Sequence, residues 1–128
     1  MPTWAELQEY AREKYELAED EPERFRLVFE YETGRRQAIL VTRFEAMGRA
    51  WIDFASACCR RDQMDPLDAL RRNFEMALGA ICLSGDIYLV RHSALLETMD
   101  LAEFELPLHV IARTADELER ELARSDVF

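Results

Sequence analysis

LRRNFEMALGAICLSGDIYLV, residues 70–90, decides the fold. A helical segment runs out at Leu78–Gly79, an apolar run follows, Ser84-Gly85-Asp86 turns the chain, and a second apolar run returns. This is a helix feeding an antiparallel hairpin, Ala80 to Leu83 and Ile87 to Arg91. The helix starts upstream at Asp65-Pro66, with Asp65 as N-cap and Pro66 at the first helical position. Asp68 adds negative charge to its first turn. Leu67, Leu70, Phe74 and Leu78 recur at helical spacing and form one apolar stripe. That stripe packs either on its own sheet or on a second subunit. Leu67, Leu70 and Phe74 are the candidate dimer contact.

Toward the N-terminus the pattern changes period. Phe25, Leu27, Phe29 and Tyr31 alternate with Arg26, Val28 and Glu30, as in a strand with one buried face. Thr33-Gly34-Arg35 is a turn. Gln37 to Phe44 is a second strand, apolar on both faces through Ala38-Ile39-Leu40-Val41. After Gly48, Ala50 to Cys59 is a third, with Ile52 and Phe54 on one face and Trp51 and Asp53 on the other. Short turns make the three an antiparallel meander. Val28, Ile39, Val41 and Trp51 are expected on the face opposite the main core, either as a binding stripe for a polypeptide or as interior under another element.

Helices flank this middle. Thr3 and Glu6 have the spacing of a capping box, opening a helix expected to reach about Glu19 before Pro22 stops it. Asp100 to Arg124 reads as the longest helix, with Leu101, Phe104, Leu108, Ile111, Ala115, Leu118 and Leu122 in alternating steps of three and four. The stripe keeps register across Pro107, which favours one kinked helix over two. The order is therefore α-β-β-β-α-β-β-α, a single α+β domain over residues 1–128 with a five-stranded antiparallel sheet.

Composition narrows the chemistry. The 128 residues carry a net charge of −10, unevenly placed. Residues 1–23 hold −6, residues 24–96 hold +2 and residues 97–128 hold −6. Acidic ends disfavour general nucleic-acid binding and are read as solvated helix faces or as steering for a basic partner. No apolar run approaches the roughly 20 residues of a membrane span. The N-terminus lacks the basic and apolar regions of a signal peptide, so a cytoplasmic location is expected.

Three cysteines leave one over, so no disulfide framework is indicated. Adjacent Cys58 and Cys59 on a strand are expected to point to opposite faces. The two histidines, His92 and His109, stand in no triad or metal-ligand spacing. Asp53 interrupts an apolar strand, and an edge or solvated position accounts for it. No catalytic residue, metal ligand or cofactor is expected.

The element order, the small size and the acidic character resemble the bacterial family that includes type III secretion chaperones of the Tir-chaperone class and the related YbjN-type proteins. Leu70-Arg71-Arg72-Asn73 resembles that family's leucine-rich helix with an asparagine near its end. Ala115-Asp116-Glu117-Leu118 resembles part of its acidic C-terminal helix. The resemblance implies a non-enzymatic homodimer that binds an extended polypeptide. Its alternative is a YbjN-type regulatory domain without a secretion partner. A small enzyme using Asp53, His92 or the glutamates is the remaining reading.

Overall fold

The computed structural model describes residues 1–123 and 128. Helix α1 (Trp4–Lys14) leads into four strands, β1 (Leu17–Glu21), β2 (Arg24–Glu30), β3 (Arg36–Ala46) and β4 (Arg49–Arg60). A 3-10 turn at Arg61–Gln63 precedes helix α2 (Pro66–Glu75), then strands β5 (Ala80–Ser84) and β6 (Ile87–Leu95). Helix α3 (Leu101–Leu118) follows and continues as a π-helical turn, Glu119–Ala123. The sheet is antiparallel throughout and ordered β1-β2-β3-β4-β6-β5. The class is α+β, as the pattern predicts, with six strands where five were expected.

The extra strand comes from the expected tail of α1. That helix ends at Lys14, and Leu17 pairs with Leu27. A longer helix would stack Glu16, Glu19, Asp20 and Glu21 against its own negative C-terminal pole. As a strand, the segment gives each of the last three a partner. Asp20 accepts from Arg12 Nε at 2.6 Å and Gln8 Nε2 at 2.7 Å, while Arg24 lies within 3.1 Å of both Glu19 and Glu21. The start of α1 is as expected: Thr3 Oγ1 accepts from Glu6 N–H, and Glu6 Oε1 accepts from Thr3 N–H.

Strands β3 and β4 turn tightly at Met47-Gly48, both at positive φ (54° and 72°), the conformation that suits a two-residue hairpin. Helix α2 stops at Glu75, short of the expected Leu78. Gly79, at φ +80°, instead delivers the chain into β5; a Cβ there would lie 2.6 Å from Ile111 Cδ1. Pro107 sits inside α3 without dividing it. The expected end of that helix at Arg124 lies outside the described residues.

The core lies between one face of the sheet and the helices α1 and α3. Phe104 of α3 stands at its centre, with ring centroids 6.4 Å from Phe25, 5.8 Å from Phe54 and 6.3 Å from Tyr10. Two expectations about the sheet are corrected by its register. Ile39 pairs with Leu27 and Val41 with Phe25, so both are wholly buried on the inner face and line no outer surface. Cys58 and Cys59 do not face opposite ways. A β-bulge between Ala57 and Cys59 breaks the alternation, both side chains are buried, and their sulfurs are 4.0 Å apart.

Candidate functional site

The outward face of the sheet is built by the alternate residues that the core does not use. Its central cross-strand rows are Arg26–Leu40–Ala55–Arg91, Thr42–Asp53–Ser93 and Phe44–Trp51–Leu95. Val28, Ala38, Ala57 and Leu89 extend it. Every outward position on the six strands is half-buried or exposed, and the large apolar ones are all half-buried. At one end of the face the Phe128 carbonyl accepts from the Ala38 N–H at 2.9 Å. Antiparallel sheets often leave one face to water, but that face is then normally polar. Here Leu40, Phe44, Trp51, Leu89 and Leu95 occupy it. Phe44 and Trp51 stack at 6.5 Å with ring planes 19° apart, and Trp51 Nε1 donates to the Ala46 carbonyl at 2.9 Å. Of the four sheet residues expected here, Val28 and Trp51 are present; Leu40 and Phe44 take the place of Ile39 and Val41.

The same face carries most of the sheet's cations. Its outward charges are six arginines, at 24, 26, 36, 49, 60 and 91, and four carboxylates, at 19, 21, 30 and 53. On this face of a protein of net charge −10, outward arginines thus outnumber outward carboxylates, and Arg24, Arg49 and Arg91 are in ion pairs. Asp53 is the one carboxylate near its middle. It accepts from Arg91 Nε at 2.5 Å and from Ser93 Oγ at 3.1 Å, which makes it a brace for Arg91.

A second apolar surface lies on α2. Leu67, Leu70 and Phe74 are 57%, 64% and 92% exposed. Their spacing of three and four residues puts them on one stripe. The opposite side of the helix is fixed by Ala69, which is buried, and by Asn73. The Asn73 side chain accepts from Ile81 N–H at 2.6 Å and donates to the Ile81 carbonyl at 3.2 Å. Ile81 lies on β5, the last strand of the sheet. Asn73 therefore supplies, at Ile81, the pairing that another strand would offer there. The polar residue that ends the leucine-rich helix has a structural task that spacing alone could not disclose.

The remaining polar clusters join helices to the core. Glu105 accepts from Tyr10 Oη at 2.5 Å, Lys14 Nζ at 2.9 Å and Tyr15 Oη at 2.8 Å, and lies 2.8 Å from His109 Nε2. Burial alone would push this carboxyl up, but the hydrogen bonds from Tyr10, Lys14, Tyr15 and His109 hold it down at about 2. Arg35 ties the β2–β3 turn to α3 through Asp116 at 2.9 Å and to the π-helical turn through Glu119 at 3.1 Å. His92 stays near Phe54, and burial lowers its pKa despite Asp53 nearby. Burial likewise pushes the Cys58 and Cys59 thiols up, away from nucleophilic thiolate.

Among the described residues, no group of three or more His, Cys, Asp or Glu is placed to hold a metal ion. No helix among them is long and apolar enough to cross a membrane. No protein-family model matches the chain, and a search of the curated proteins finds no relative.

Proposed function

We propose that the protein is a non-enzymatic, chaperone-like homodimer that binds an extended stretch of another polypeptide. The observation that carries this reading is a pair of separate apolar surfaces outside the core, an exposed stripe on α2 and a half-buried row on the outward sheet face. The α2 stripe, Leu67, Leu70 and Phe74, is the dimer contact. It is narrow and helical, and a two-fold axis would set it against its own copy. The outward sheet face, with Val28, Leu40, Phe44 and Trp51, is the polypeptide site.

Binding across the face is favoured over addition to an edge. Asn73 occupies Ile81 on the β5 edge, and the other edge, β1, is five residues long, bulged and acidic. The resemblance to type III secretion chaperones supports both parts of the reading, and the cytoplasm is the compartment proposed for it. The test is light scattering after size exclusion, together with anisotropy of labelled 12-residue peptides. A particle of twice the 15.0 kDa chain that binds an apolar peptide supports the proposal. Loss of peptide binding in Trp51→Asp, with the dimer intact, would place the site on the face. A monomer with no affinity for any peptide would refute the proposal.

A further inference from the structure

We propose that the outward sheet face selects an acidic segment, with two carboxylates four residues apart around an apolar residue. This rests on the polypeptide binding proposed above and names the chemistry of the partner. The row Arg26–Leu40–Ala55–Arg91 places an arginine at each end of an apolar pair. Three strand spacings separate the backbones of Arg26 and Arg91, about 14 Å, and Asp53 and the Phe44 ring draw the Arg91 guanidinium inward from its end. Residues i and i+4 of an extended chain are about 13 Å apart, and i, i+2 and i+4 point the same way. A segment crossing the strands would set a carboxylate on each arginine and its middle side chain on Leu40 and Ala55. Ala38, Ala55 and Ala57 keep the floor of this crossing low, and Phe44 and Trp51 bound it on one side.

The arginines are placed to take part. Arg26 makes no ion pair among the described residues; Glu19, opposite it on β1, is held by Arg24 at 3.1 Å. Arg91 engages Asp53 through Nε and lies over the Phe44 ring at 5.9 Å, with its side chain 46% exposed. A short acidic peptide feels this local field, because charges beyond about 8–10 Å are screened at physiological salt. A long polyanion such as nucleic acid would also meet the acidic remainder of the molecule, so a peptide is the favoured occupant.

The experiment compares three labelled 12-residue peptides by fluorescence anisotropy at low and high salt. They share one apolar sequence and carry Glu, Gln or Lys at positions four apart. A single-stranded oligonucleotide serves as a fourth probe. The Glu peptide is expected to bind about three- to tenfold tighter than the Gln peptide, with the difference vanishing at 1 M salt. Arg26→Glu is expected to reverse the preference toward Lys, and Arg26→Gln to flatten it without altering the fold. Equal binding of the Glu, Gln and Lys peptides would overturn the acidic preference while leaving polypeptide binding intact. Binding of none of them would overturn the parent reading as well. Tighter binding of the oligonucleotide than of the Glu peptide would overturn the choice of occupant.

Discussion

Phe74→Ala separates assembly from folding. In the single chain Phe74 is 92% exposed, so the substitution removes almost no burial from the folded protomer. Alanine is also the better helix former by a few tenths of a kcal/mol. Protomer stability should therefore change by less than about 0.5 kcal/mol. The proposed dimer should lose much more. Burying one large apolar side chain stabilises by about 2 kcal/mol, and a two-fold axis counts it twice, giving about 4 kcal/mol. At 1.4 kcal/mol per decade, the dissociation constant should rise roughly a thousandfold.

The wild-type stripe has little margin. Leu67, Leu70 and Phe74 together expose about two side chains per protomer, or about 9 kcal/mol gross for the pair, against an association cost of 4–15 kcal/mol. Sedimentation velocity over a concentration series measures the dimer, and urea unfolding measures the protomer. A variant that sediments like wild type at every concentration would refute the assignment of α2 as the interface.

Other perturbations test the fold that positions these surfaces. Asn73→Ala leaves the Ile81 N–H and carbonyl without their partner and should cost about 1–3 kcal/mol, with faster amide exchange at Ile81; unchanged exchange would show that β5 needs no guard. Ile39→Ala should cost about 2–5 kcal/mol in urea melts and its neighbour Leu40→Ala under about 1 kcal/mol, because only Ile39 faces the core. Equal costs would contradict the register. Gly79→Ala places a Cβ 2.6 Å from Ile111 Cδ1 and 3.1 Å from the Arg91 carbonyl at positive φ, and should lower the melting temperature measurably. The depressed pKa of Glu105 contributes stability that is complete above its ordinary value of 4.5 and lost as pH falls toward 2. Urea midpoints from pH 6 to pH 2.5 should therefore fall less steeply in Glu105→Gln than in wild type.

The parts of the fold that were legible in the sequence are those where period and punctuation agree. Thr3 with Glu6 marks the start of α1, Asp65-Pro66 marks the start of α2, and the alternation from Phe25 to Phe29 marks β2. Two other elements had weaker signals. The sequence Leu17 to Glu21 carries no alternation, and its strand state follows from pairing with Arg12 and Arg24, contacts made only in the folded chain. Residues 38–41 of β3 are apolar at every position, so period cannot say which two face the core. The flanking polar residues stand at both parities, Arg36 and Thr42 with Ala38 and Leu40, Gln37 and Arg43 with Ile39 and Val41, so the inward assignment comes only from pairing Ile39 with Leu27 and Val41 with Phe25. The Leu67–Leu70–Phe74 stripe has the same spacing whether it is core or surface; only the placement of α2 by Ala69 and Asn73 decides that it is bare. The bulge at Cys58 left no mark in the sequence, since an extra residue in one strand is defined by its partner.

The chain reports on its outward sheet face through tryptophan. Trp4 is buried against Phe25, with its indole N–H donating to the Pro22 carbonyl at 2.8 Å, whereas Trp51 stands half-buried on the outward sheet face, separated by the Thr42–Asp53 row from the row that holds Leu40 and Ala55. The most direct measurement is the emission of the unaltered protein during titration with the unlabelled Glu peptide, itself free of tryptophan. A saturable blue shift is expected as the peptide removes water from Trp51, absent in Trp51→Phe and retained in Phe74→Ala. Peptide binding seen by anisotropy with no change in emission would contradict a site on this face.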